Sequence, residues 1–145
     1  MTQIFVNIAT SDLDRSKAFY TALGAEINPL FTDENAACIV WGDGIHFMIL
    51  THEYFSTFTT RAVADTASTA QAIIGLTRDS RKDVDSVANS ALANGGVEHR
   101  DPQDYGFMYS RSVEDPDGAV LEFIWMDPKA AEDGPPADFA EQSQQ

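Results

Sequence analysis

The feature that most limits what this chain can fold into is an order of periodicities that occurs twice. Ile4, Val6 and Ile8 alternate with Phe5, Asn7 and Ala9, the period-two signature of a strand with one packed face. Thr10, Ser11 and Asp12 then offer side-chain oxygens for a helix N-terminus. Leu13, Ser16, Phe19, Tyr20 and Leu23 fall on one stripe of a 3.6-residue helix before Gly24 can end it. Three strand-like stretches follow, at Glu26–Phe31, Ala36–Trp41 and Ile45–Thr51, parted by turn chemistry in Thr32–Asn35 and Gly42–Gly44. The second pass opens with Ile73, Ile74 and Leu76 as a strand. It continues with a helix capped by Asp79 or Ser80, in which Val84, Val87, Ala88, Ala91 and Leu92 share a face, and Gly95-Gly96 closes it. Strands are then predicted at about Val97–Arg100, Tyr105–Val113 and Ala119–Trp125. Each pass reads β-α-β-β-β. Matching Asp12 to Asp79 and Gly24 to Gly95 makes the chain a divergent tandem repeat, carried by element order more than by residue identity.

The expected architecture is therefore α+β, with one domain over residues 1–128 built from modules at about 4–51 and 70–126. The 52–69 connector contains one helical turn, Glu53–Phe58, which carries Phe55 and Phe58. Residues 129–145 are mostly Ala, Glu, Gln, Pro and Gly, with one aromatic, Phe139. Their composition predicts an acidic tail, with Phe139 as a residue that could dock it. A 145-residue chain that is 43% hydrophobic has enough apolar material for a single compact unit.

Charge narrows the function. With 23 acidic and 9 basic residues the formal net charge is −14, and such a surface repels phosphate backbones, so nucleic acid is disfavoured as a partner. No apolar run is long enough to span a bilayer and no signal-like n-region precedes one, so the expected location is the cytoplasm, away from membranes. The single cysteine, Cys38, can form no internal disulfide and no thiolate zinc site; its ordinary role is a small buried hydrophobe on a strand.

Three segments go further. Asn7–Tyr20 opens the first module, Asp79–Asp85 opens the second helix, and Asp115-Pro116-Asp117-Gly118 precedes the last strand. In this order and at these distances they resemble the glyoxalase I, bleomycin-resistance and extradiol-dioxygenase (vicinal oxygen chelate) superfamily. The run Tyr105–Gly118, with Trp125-Met126-Asp127-Pro128, resembles its lactoylglutathione-lyase-like branch. The resemblance covers Ile4 to Pro128. It implies two βαβββ modules whose curved mixed sheets form a cup, frequent homodimerisation, and in many members a cup shared between chains. In metal-dependent relatives the ligands stand on the first and fourth strands of each module.

Carried over residue by residue, that implied metal site is largely dismantled. The first histidine position holds Phe5, the first-module carboxylate falls near Ile49, the second-module histidine falls near Ile73, and only Glu122 keeps a donor. One carboxylate cannot hold a divalent ion that needs three or four converging donors. His46, His52, Glu53 and His99 form no ligand set on one strand face, although an atypical divalent-metal site remains an alternative. The leading expectation is a binder of a small organic ligand that uses no metal cofactor. Its cup would be lined by Phe5, Asn7, Phe47, Ile49, Phe107, Tyr109 and Arg111, with Tyr105 and Met108 nearby and the facing of Met108 against Tyr109 open. Core packing is the ordinary role of each of these aromatics taken alone. The enzyme alternative is a lyase or isomerase in which Glu122 is the general base beside a carbonyl, with Asn7, Tyr109 or Arg111 stabilising negative charge. An inward Glu122 needs a partner, expected to be Asn7, Tyr109, Arg111 or the ligand itself.

Overall fold

A computed structural model describes residues 1–137; Phe139 and its expected docking role lie outside the described residues. The first module comprises β1 (Ile4–Thr10), α1 (Leu13–Ala22), β2 (Glu26–Asn28), β3 (Ala36–Gly42) and β4 (Ile45–Thr51). A short α2 (His52–Phe55) and a 3₁₀ turn (Ser56–Phe58) lead into the connector. The second module comprises β5 (Ile73–Thr77), α3 (Arg81–Ala93), β6 (Val97–Asp104), β7 (Met108–Glu114) and β8 (Val120–Met126). Each module makes one four-stranded mixed sheet, in the orders β1-β4-β3-β2 and β5-β8-β7-β6. The first strand of each module runs parallel to its fourth, and the remaining pairs are antiparallel.

Capping chemistry places the helices as the sequence demands. The Asp12 carboxylate accepts from the Arg15 amide at 3.0 Å, and Ser80, rather than Asp79, caps α3 by accepting from the Asp83 amide at 3.0 Å. Phe19 and Tyr20 on α1, and Val84, Val87, Ala88 and Ala91 on α3, are buried against the inner faces of the sheets. Those inner faces supply Ile8, Ala37, Ile39, Phe47 and Ile49 from the first sheet and Leu76, Val113, Leu121 and Phe123 from the second, all in one continuous core. Tyr20, Trp41 and Phe47 meet edge to face, with centroids 5.5–5.9 Å apart, and Trp41 reaches Phe123 of the other module at 6.3 Å.

Four expectations are corrected. β2 ends at Asn28, and Pro29–Phe31 forms a 3₁₀ turn, because Pro29 fits a first helical position and the Asn28 side chain accepts from the Leu30 amide at 3.0 Å. β6 runs on to Asp104 as an edge strand whose pairing with β7 shifts twice, which accommodates Pro102. β7 begins at Met108 because Tyr105 turns back through its amide to the Met108 carbonyl over Gly106. Part of the expected tail is helical: Pro128–Asp133 forms α4, started by Pro128 and by Asp127, whose carboxylate accepts from the Lys129 amide.

The Asp-Pro-Asp-Gly turn joins the modules. Asp117 accepts from the Thr10 hydroxyl, the Ser11 amide and hydroxyl, and the Arg15 guanidinium, all at the N-terminus of α1. Asp115 accepts from the Tyr20 hydroxyl at 2.7 Å and from the Asp117 and Ala119 amides. Gly118, at φ +95°, brings its backbone so close to the Thr66 carbonyl that a Cβ would lie 2.4 Å from the Thr66 oxygen, so no side chain is accommodated. Among the described residues no helix is long and apolar enough to cross a membrane.

Candidate functional site

Period-two alternation gives each sheet a second, open face turned away from the helices. In the first module this face carries three lateral rows set by strand register. Phe5 neighbours His46, which neighbours Val40; Asn7, Met48, Cys38 and Asn28 form the next row; Ala9, Leu50 and Ala36 form the third. The 3₁₀ turn bearing Leu30 and Phe31 rises on one side, and Tyr54 of α2 with Phe58 of the 3₁₀ turn after it rises on the other. Together they enclose a hollow of about 880 Å³. Phe5 stacks on the His46 imidazole at 4.4 Å and 8°, and Tyr54 meets Phe58 edge to face at 5.0 Å. Burial pushes the Cys38 thiol up, so it lies in the floor as a neutral thiol. Among the described residues the only acidic side chain at the rim is Asp33, whose carboxyl oxygen already accepts from the Asn35 and Ala36 amides; His46 is the sole imidazole, and no lysine or arginine lines the hollow.

The second module's open face is polar. Arg100, Ser112, Glu122 and Gly75 form one row; Gln103, Ser110, Ile124 and Thr77 form the next. Glu122 pairs with Arg100 at 2.9 Å across Ser112, and His99 meets Glu114 at 3.1 Å. The Ser110 hydroxyl is buried without a hydrogen-bond partner among the described residues.

The predicted site residues are thus divided. Phe5 and Asn7 line the hollow. Phe47 and Ile49 do not: both face α1 and are buried in the core, which brings Met48 and Leu50 to the open face instead. Glu122 is on the open face of the other sheet, and its partner is Arg100, not Asn7, Tyr109 or Arg111. Tyr109 and Arg111 point to the helix side. Tyr109 donates to Asp85 of α3 at 2.6 Å, while Arg111 binds Asp85, Asn89 and Glu98. Met108 takes the open face. Phe107 lies in the turn before β7, with its ring 6.4 Å from that of Tyr105, and is not part of the hollow. Sequence reasoning passed over Leu30, Phe31, Tyr54 and Phe58, although Tyr54 and Phe58 lie four residues apart on a helical segment and therefore share a side.

The open-face positions on the first and fourth strands of both modules include Phe5, Asn7, His46, Met48, Ile73, Gly75 and Glu122. Among the described residues no group of three or more His, Cys, Asp or Glu side chains is placed to hold a metal ion. These residues do not fit the divalent ion implied by the superfamily resemblance.

Two βαβββ modules, each a four-stranded mixed sheet with its helix on the inner face, define the glyoxalase/bleomycin resistance fold, and this chain has that fold. Residues 2–42 match the family model described as bleomycin resistance protein-like N-terminal. Similar solved structures include a glyoxalase/bleomycin resistance protein/dioxygenase family enzyme from Burkholderia phytofirmans. It is 17% identical, with 86% of this chain and 98% of that one covered and a TM-score of 0.72. A lactoylglutathione lyase from Agrobacterium tumefaciens is 20% identical over 83% and 90%, with a TM-score of 0.60. A bleomycin resistance determinant encoded on transposon Tn5 is 19% identical over 88% and 99%, also at 0.60. No curated protein matches this chain.

Proposed function

We propose that the protein binds a flat organic molecule, neutral or cationic, in the hollow of the first module, without a metal ion. The observation that carries this is the hollow itself: aromatic and sulfur side chains on its floor and walls, with Asn7 and Asn28 as the fixed polar groups. Its size suits a multi-ring ligand, and the absence of any lysine or arginine from its lining leaves nothing to offset the charge of an anion. Likeness to a bleomycin resistance determinant supports sequestration as the role. The Glu122 base mechanism has weaker support, because Glu122 stands on the other sheet and is already paired with Arg100.

A second copy of the chain completes the site in this reading. Phe5, Leu30, Phe31 and Phe58 are 53–86% exposed around the hollow, and clustered exposed apolar side chains of this kind favour an interface. The polar open face of a partner's second module would cover it.

The test is calorimetric titration of the whole protein with 9-aminoacridine, a flat cation, and with 1-naphthalenesulfonate, a flat anion, alongside native mass spectrometry. The expected result is a dimer that takes up the acridine saturably, binds it at least tenfold more weakly after Phe5→Ala, and discriminates against the sulfonate. Equal binding of both dyes, or an acridine affinity unchanged by Phe5→Ala, would remove the hollow as the site.

A further inference from the structure

A second cavity lies on the other side of β1. It measures about 280 Å³ and is enclosed by Val6–Ala9 of β1, the connector from Thr59 to Ala72, and Gly118–Val120 at the start of β8. Its floor is apolar, with Val6, Ile8, Phe55, Val63, Ile74 and Val120. β1 is an edge strand that pairs only with β4 among the described residues, so its other edge turns main-chain groups toward this space. Thr59, Thr66, Thr69 and Gln71 add neutral polar groups.

Charge gives the cavity its character. Acidic residues outnumber basic ones 23 to 9 along the chain, yet among the described residues no aspartate or glutamate lines this space, and its one charged side chain is Arg61. Arg15, Arg81, Arg100 and Arg111 are all committed to carboxylates, whereas Arg61 has no ion pair among the described residues. The one charged group on its lining is therefore opposite in sign to the net charge of the chain. A guanidinium kept free beside an apolar slot matches a carboxylate carried on a short hydrocarbon chain.

We infer that this cavity is a second binding site, distinct from the hollow of the first module, for a small apolar carboxylate whose chain lies along β1 and whose head meets Arg61. The connector wraps the ligand, and its anchor at Asp117 and Gly118, through the Thr66 hydroxyl, holds the far wall in place.

The experiment titrates the full-length protein with octanoate and, in parallel, with octylammonium, following amide chemical shifts in ¹H–¹⁵N spectra. Octanoate is expected to saturate one site per chain and to move amides of residues 6–9 and 59–72. Octylammonium is expected not to bind there. Arg61 is exposed, so Arg61→Gln should fold normally. It is expected to weaken octanoate at least tenfold, and Arg61→Lys to restore most of that loss. No saturable binding at millimolar octanoate, equal binding of octylammonium, an affinity unchanged in Arg61→Gln, or shifts confined to the hollow around Phe5, His46 and Met48 would each overturn the inference.

Discussion

The two sheets share a topology and an inner face, and they part company on the open face. Inside, both present large apolar side chains to a helix, and the two sets merge through Trp41 and Phe123. Outside, the first sheet offers rings and sulfur beneath a hollow, while the second offers Arg100–Glu122 and His99–Glu114 pairs beside serines. A duplicated module is free to diverge on the face that packs against nothing, because core packing constrains only the other. The difference teaches that the halves offer complementary surfaces, one apolar and the other rich in hydrogen-bonding groups.

The largest effect that can break this comparison concerns which face a residue occupies. Phe47→Ala is expected to cost about 4 kcal/mol, the cost of truncating a buried aromatic, whereas Phe5→Ala is expected to cost less than about 1 kcal/mol, as surface changes do. Urea denaturation of both variants checks this, and equal losses would mean that β4 and β1 are not faced as described.

Next in size is the junction that keeps the two open faces in fixed relation. Asp117→Asn is expected to lose about 2 kcal/mol at neutral pH, because a charge-assisted acceptor for four donors is removed. Burial alone would raise the Asp117 pKa, but hydrogen bonds from Ser11 and Thr10 and the Arg15 charge hold it below the usual carboxylate range. Its stabilisation is therefore fully present above the unfolded value and fades as pH falls through the lower folded one. The gap between wild type and variant should close in acid, as thermal melts across a pH series would register.

On the polar face, Glu122→Gln is expected to cost about 1 kcal/mol or less, since its Arg100 partner is well exposed. Acridine binding in the hollow should stay unchanged. A large loss of affinity would show that the second face contacts the ligand directly.

The smallest effect is at Asp115, whose carboxyl is raised by burial against the opposing hydrogen bonds from Tyr20, Ala119 and Asp117. The stability linked to that raised value is complete below the unfolded pKa and is lost as pH rises through the folded one. Asp115→Asn should change stability by only a few tenths of a kcal/mol at its most favourable pH while flattening this slope. A variant that keeps the wild-type slope would assign it to another group.

The order of elements was legible in the sequence because helix and strand periods differ and because Asp12, Gly24 and Gly95 punctuate them. Facing was legible only where a strand is amphipathic. In β1 the polar Asn7 fixes the register, but β4 reads Ile-His-Phe-Met-Ile-Leu-Thr and is apolar on both sides, so Phe47 and Ile49 could not be told from Met48 and Leu50. Arg111 misled for a different reason: its long stem lets the guanidinium reach α3 from the inner face. Arg100, the actual partner of Glu122, lies two strands away across Ser112, a pairing that emerges only once the irregular register of β6 is known.

The contacts of Asp117 have a temporal side. They tie Thr10, Ser11 and Arg15 to a residue more than a hundred positions later, so a chain emerging from the ribosome exposes the start of α1 long before its clasp exists. Closing so long a loop is entropically slow compared with forming either helix. The first module must wait, with its inner face only half covered, until nearly all of the second has been made. In such a protein the time spent half-assembled is set by the position of one turn late in the second module.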